Sequence, residues 1–286
     1  MNEFIKIEFE FLSNELKDIL IALLSEMNYE GFEEQGDVLK AYISSALYNE
    51  NDLKNLLGAQ ELSFSVTRLE NKNWNQFWES NFHPVIVDHP VTKKPWVGVR
   101  AEFHEPLNNV EHEIIITPRM SFGTGHHATT LMMIQMMAEL DFQQKSVLDF
   151  GTGTGILAIL AERLGAAKIV AMDNDSQSIK NATENFTSNS CKKIEITEVS
   201  SAEGNNRYDI IVSNIIRTVI LENLAAFNEQ LVDGGVILLS GLLENEEDAV
   251  VKSAEKCGLI LSKKTSKGNW LGLQFIHASR VNYVSN

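Results

Sequence analysis

The sequence predicts an α/β protein: a doubly wound, mostly parallel seven-stranded sheet with one antiparallel strand, preceded by a small ferredoxin-like α+β domain. Three observations predict it. Residues 1–70 read as βαββαβ, a complete small unit. From Ser146 onward, short apolar segments alternate with amphipathic ones, as strands do when helices cover both faces of their sheet. The last two strand candidates have no helix between them, so they form a hairpin and one of them runs against its neighbours.

In chain order, residues 4–11 alternate apolar and polar positions, the period of a half-buried strand. Ser13 and Asn14 offer caps to a helix in which Leu16, Ile19, Leu20, Leu23 and Leu24 recur every three or four residues. Strands near Gly31 and over Leu39–Ile43, a helix near Asn51–Leu57 and a strand over Glu61–Leu69 complete the first domain. Residues 71–94 read as a linker. Trp74, Phe77, Trp78 and Phe82 form one aromatic stripe on a helix pinned to its neighbours, and Pro84, Pro90 and Pro95 then break the chain.

The second domain takes up residues 95–286. Val97–Phe103 and His112–Thr117 read as a hairpin, and Thr129–Leu140 as a helix. The seven strands expected are Ser146–Phe150, Lys168–Met172, Ile194–Val199, Tyr208–Val212, Val236–Ser240, Ile260–Thr265 and Gly272–His277. Helices between them cover Ile156–Leu164, Asp175–Phe186, Thr218–Leu231 and Asn245–Cys257.

Composition narrows the function. The longest apolar runs, Ile19–Leu24 and Val236–Leu243, fall far short of a membrane span, and the N-terminus lacks a basic start followed by an apolar core. Cys191 and Cys257 are too few and too far apart for a disulfide framework or a zinc site, which points to reduced thiols in the cytoplasm. With 24 Lys and Arg against 39 Asp and Glu the formal charge is -15, which argues against gripping nucleic acid by its phosphates and is compatible with a basic partner. No heptad pattern suggests a coiled coil, and a monomer is expected.

The chemistry concentrates where Val147-Leu148-Asp149-Phe150 runs into Gly151-Thr152-Gly153-Thr154-Gly155 and then a helix. Open α/β sheets bind ligands at such a strand-to-helix turn, and glycine lets backbone approach the ligand closely. A dinucleotide fingerprint would place its third glycine at 156, where this chain has Ile156, so hydride transfer with a nicotinamide cofactor is the weaker reading. Asp173 ends the next strand, where a carboxylate can accept hydrogen bonds from both hydroxyls of a ribose. Asp175 fits better as a helix cap. Asn214 closes the fourth strand, beside the glycine loop if the strand order reverses there. Residues 118–130 join the hairpin to a helix through Gly123, Gly125, His126 and His127, and no convincing set of metal ligands accompanies them.

These residues also resemble a family. The glycine loop with Asp173 is similar to that of class I S-adenosylmethionine-dependent methyltransferases. A longer set resembles the bacterial methyltransferases of ribosomal protein L-eleven: Trp74-x3-Trp78-x3-Phe82-x-Pro84, Phe122-Gly123-Thr124-Gly125-x-His127-x-Thr129-Thr130, Asp149-Phe150-Gly151-x-Gly153-x-Gly155-Ile156-Leu157-Ala158 and Asn214-Ile215. The likeness spans about residues 71–280; the first 70 match in size and strand order more than in letters. His126 and Ala128 depart from the family's Thr and Pro beside the loop histidine.

The resemblance implies a methyltransferase sheet, S-adenosyl-L-methionine as cofactor, and amino groups of that ribosomal protein as substrate, namely lysine side chains and the N-terminal amine. It implies an N-terminal domain that holds the substrate. It places cofactor contacts on Thr130, Gly151, Gly153, Asp173 and Asn214, with Phe122 and His127 near the methionine end; an amide oxygen at Asn214 that accepts the amine's hydrogens and aims its lone pair makes Asn214 the expected catalytic residue. Methylation of another protein or of RNA, and a non-catalytic cofactor-binding module, stay open at this point. Against the base- and glutamine-modifying enzymes, many of which carry an Asn-Pro-Pro-Tyr-like run, this chain has Asn214-Ile215-Ile216-Arg217.

Overall fold

The computed structural model describes residues 4–29, 31–58, 62–69, 82–117 and 125–277. The chain divides into two compact units, Met1–Asn81 and Phe82–Asn286. Most of the aromatic stripe (Trp74, Phe77, Trp78) and Phe122 lie outside the described residues.

In the first unit, β1 (Phe4–Phe9) alternates half-buried and buried positions, as its period-two sequence requires. It pairs antiparallel with β3 (Val38–Ser44) and β4 (Phe64–Leu69), and β2 (Gly31–Gln35) pairs with β3, giving the order β2-β3-β1-β4. Helix α1 (Asn14–Glu26) starts at Ser13, whose hydroxyl accepts the Leu16 N–H, and buries Leu20, Ile21 and Leu24. Helix α2 (Glu50–Leu57) starts at Asn49 and buries Leu53 and Leu57. The ammonium of Lys17 is buried but satisfied, donating to the Gly36 carbonyl at 2.9 Å and pairing with Glu34 at 3.2 Å.

The second unit holds a seven-stranded sheet. Its strands are β8 (Ser146–Phe150), β9 (Lys168–Asp173), β10 (Ile194–Glu198), β11 (Tyr208–Asn214), β12 (Leu231–Leu243), β13 (Leu259–Lys267) and β14 (Trp270–His277). The order is β10-β9-β8-β11-β12-β14-β13; only β14 runs against the others, between β12 and β13. Alternate strand residues face two apolar layers. Val147, Ile169, Ala171, Ile210, Val212 and Leu238 pack with α3 (Ala128–Met137), α4 (Ile156–Arg163) and α5 (Ser176–Ser188). Leu148, Phe150, Val170, Ile211, Ile237 and Leu239 pack with α6 (Arg217–Gln230) and α7 (Glu247–Lys256). Burial on both faces explains why these strands read as continuous apolar runs.

Between β8 and β11 the chain reverses the direction in which it adds strands. Their parallel register sets Val212 opposite Asp149, so Asn214 and Gly151 end the two strands at the same level, at the switch point.

Two expectations are corrected. The connection assigned to residues 71–94 contains β5 (Val85–Asp88), which pairs antiparallel with β6 (Pro95–Arg100). β6 does not form a hairpin with β7 (His112–Ile115): the two are parallel. Parallel neighbours need a crossover, and residues 101–111 supply it by passing over Gly98, where a Cβ would lie 2.7 Å from Leu107 Cδ1 and 3.0 Å from Val110 Cγ2. The buried Arg100 fastens the crossover, donating from Nε and Nη2 to the two oxygens of Glu113 at 2.8 and 3.0 Å and from Nη1 to the carbonyls of Ala101 and His104. These contacts form within one short segment, yet neither helical nor strand periodicity marks them.

Candidate active site

The glycine loop is held by its neighbours before any ligand is considered. Gly151 N–H and Thr152 N–H both donate to the Met172 carbonyl, at 2.8 and 2.9 Å, binding the loop to the end of β9. Gly153 N–H donates to Asp173 Oδ2 at 2.8 Å, and Asp175 N–H donates to Asp173 Oδ1 at 3.0 Å. Burial raises the Asp173 carboxyl above its ordinary range, while the N–H donors act in the opposite direction. Asp175 caps α5 as its position suggests, accepting from Gln177 N–H and Ser178 N–H.

Asp149 lies beneath the loop, fully buried. Its Oδ2 accepts the Thr152 hydroxyl at 2.7 Å and the Ala158 N–H at 3.1 Å, joining the loop to the first turn of α4, while Oδ1 has no partner. Burial pushes this carboxyl up to about 7. The folded chain therefore keeps a proton that the unfolded chain releases near pH 4, so stability falls as pH rises through this window and levels off above 7. Asp149→Asn is expected to flatten the dependence, by roughly 4 kcal/mol between pH 4 and pH 8 relative to the parent. Chemical denaturation of both proteins across that range measures it, and parallel curves would sink the assignment.

Asn214 ends β11. Its Nδ2 donates to the hydroxyl of Thr130, a fully buried residue in the first turn of α3, at 3.4 Å. Oδ1 is buried and has no partner. A buried amide oxygen left unpaired costs about 1–3 kcal/mol, so its persistence here points to a ligand that donates to it.

The next residue, Ile215, is wedged between two glycines. Gly151 has φ +76°, and a Cβ there would overlap the Ile215 side chain; Gly241 has φ +85°, and a Cβ there would overlap the Ile215 carbonyl. Gly241 also occupies the irregularity in β12 between Ser240 and Leu242. Gly241→Ala is expected to cost about 1–3 kcal/mol of stability and to displace the Asn214-Ile215 turn. A thermal melt checks the first effect and a crystal structure of the variant the second, and an unchanged melt with the turn in place would refute the wedge.

The structure thus brings Thr130, Gly151, Gly153, Asp173 and Asn214 to the carboxyl edge of β8, β9 and β11. His127 does something different. It caps α3, its Nδ1 sharing a hydrogen with Thr129 Oγ1 at 2.8 Å, and its ring meets Trp270 edge-on at 4.7 Å. A cavity of about 650 Å³ lined by Arg207, Asn228, Asp233 and His277 opens at the amino ends of β11 and β12, the opposite edge, and contains none of these residues. Sequence reading missed Asp149, Ile215 and Gly241 as parts of the site. Asp149 and Ile215 stood within the quoted motifs without a role of their own, whereas Gly241 acts through packing with no local signature.

Comparison with known proteins then decides the family. A model of the family described as ribosomal protein L11 methyltransferase (PrmA) matches residues 14–277. The chain belongs to the ribosomal protein L11 methyltransferase family. A family member of that name from Porphyromonas gingivalis is 36% identical over 265 residues, covering 90% of each chain. One from Bacteroides fragilis is 33% identical over 269 residues, covering 91% of this chain and 94% of its own. Among solved structures, a ribosomal protein L11 methylase from Lactobacillus delbrueckii subsp. bulgaricus superposes with a TM-score of 0.59 at 26% identity, over 63% of this chain and 94% of the other.

Proposed function

We propose that this protein transfers methyl groups from S-adenosylmethionine to amino groups of ribosomal protein L11, in the cytoplasm. The observation that carries the reading is the unpaired Asn214 Oδ1, buried at the switch point beside the glycine loop. The site fits the cofactor on its own terms. Asp173 presents a carboxylate to a ribose, Gly151 and Gly153 bring backbone close, and Thr130 fixes the Asn214 amide. When bound, S-adenosylmethionine supplies an electrophilic methyl on a sulfonium. His127 and Phe122 belong to the same reading as contacts near its methionine end.

The chain's task is then to orient a neutral amine. Asn214 Oδ1 accepts one N–H of the incoming amine, which turns the nitrogen lone pair toward the methyl; such positioning can supply roughly 7–11 kcal/mol. A free lysine amine has a pKa of about 10.4 and an α-amine about 8, so the partly apolar crevice favours the neutral form required. The first unit, read as ferredoxin-like, holds the substrate protein in this scheme. Asn214 followed by Ile215-Ile216 also favours an amine over the base- and glutamine-modifying alternatives.

Incubation of the purified chain with labelled S-adenosylmethionine and ribosomal protein L11, read by intact mass, tests the proposal. Mass gains in whole methyl steps on that protein are expected; retained cofactor without transfer would leave a binding module instead. With a formal charge of -15, the chain should also attract a basic partner, so added salt should slow association. A salt-independent rate would remove that steering.

A further inference from the structure

Helix α5 buries asparagines at 181 and 185, and Asn189, also buried, caps its carboxyl end one turn further on. Asn189 clasps Ile115 in β7, accepting its N–H at 2.9 Å and donating to its carbonyl at 2.6 Å. Asn185, fully buried, does something its neighbour does not. Its Oδ1 accepts the Thr117 N–H at 2.8 Å, while its Nδ2 donates to the Thr154 carbonyl, also at 2.8 Å. Thr154 lies inside the glycine loop, between Gly153, which donates to Asp173, and Gly155, which opens α4. One side chain therefore ties the backbone leaving β7 to the loop at the switch point. At neutral pH the amide supplies both a donor and an acceptor at the two ends of this short reach, which an ionised carboxylate cannot.

We propose that Asn185 is a positioning residue for cofactor binding, setting the glycine loop in register through the Thr154 carbonyl. The inference rests on the cofactor reading given above. Without the amide, the Thr154 carbonyl and the half-buried Thr117 N–H lose the one side chain that joins them, and the loop gains conformations in which Gly153 no longer faces Asp173. Asn189 provides the comparison: it caps the same helix and is also buried, with side-chain bonds to Ile115 and to the Asn185 carbonyl but none to the glycine loop.

The full-length chain and its variants are titrated calorimetrically with S-adenosylhomocysteine, and kcat and KM for S-adenosylmethionine are measured in parallel. Asn185→Ala is expected to weaken binding about ten-fold or more and to raise KM, with kcat at saturating donor falling much less. Asn189→Ala is expected to lower the melting temperature yet bind as the parent does. Asn185→Asp, which keeps the acceptor and loses the donor, serves as the second variant and covers the case in which Asn185→Ala does not fold. It should bind weakly at pH 8 and recover relative to the parent toward pH 6, where its buried carboxyl regains a proton to donate to Thr154. Parent-like affinity in a folded Asn185 variant, or equal weakening by Asn189→Ala, overturns the proposal. Failure of the parent to bind S-adenosylhomocysteine overturns the cofactor reading itself, and this inference with it.

Discussion

Asn214→Ala will bind the methyl donor and the substrate protein yet transfer methyl groups about 10²–10³-fold more slowly. The size of the effect follows from what the side chain does. Its Nδ2 is committed to Thr130 at 3.4 Å, so Oδ1 is the atom left to meet the amine, and it is buried without a partner in the free protein. Removing it takes away an acceptor needed most when the amine must be neutral and aligned. The fold should survive, because the alanine variant no longer buries an unpaired oxygen and the backbone pairing of Asn214 with Ser240 in β12 is unaffected. Single-turnover methylation followed by mass, with a melting curve alongside, measures both halves. Turnover within a few-fold of the parent would end the assignment of Asn214 as the catalytic residue.

The second large effect is expected at Asp173. Asp173→Ala should weaken S-adenosylhomocysteine binding about 10²-fold or more, since two charge-assisted hydrogen bonds to ribose hydroxyls contribute about 1.5–3 kcal/mol each. The substitution also frees Gly153 N–H and Asp175 N–H, which the carboxylate now accepts at 2.8 and 3.0 Å. Its cost to stability should be smaller than its cost to binding, because burial already disfavours the charged form of this acid. The same raised carboxyl gives a pH signature. As pH falls into its elevated range, the group gains a proton and binding weakens, and this dependence disappears in Asp173→Ala. Calorimetric titrations of parent and variant across acidic pH provide the measurement; affinities within about three-fold of each other at neutral pH would show that the acid does not hold the ligand.

Much of this was legible in the letters. The central strands β8, β9, β11 and β12 fall where apolar runs predicted them, because a strand buried on both faces must be apolar along its length, whereas the edge strands β10 and β13 carry exposed polar positions. The helix starts at Ser13 and Asp175 were readable because capping involves only the following few residues. The placement of Gly151, Asp173 and Asn214 along one sheet edge was readable because each lies at or just past the carboxyl end of a strand, and strand ends at a switch point face one crevice. The parallel pairing of β6 with β7 was not readable: an apolar segment, a polar loop and a second apolar segment suit a hairpin as well as a crossover. The outcome depended on Arg100 meeting Glu113 and on Leu107 and Val110 finding the gap above Gly98.

The sequence by itself therefore determined the order of elements, the glycine loop and the acid that follows it, since each rests on neighbours within one turn or one strand. Only the tertiary structure decided that Ile215 is gripped between Gly151 and Gly241, that Asn185 joins Thr117 to Thr154, and that Asn214 keeps a buried oxygen free. Those facts belong to pairs of residues tens of positions apart. What brings them within reach is the order in which the strands assemble, and no local period encodes that order.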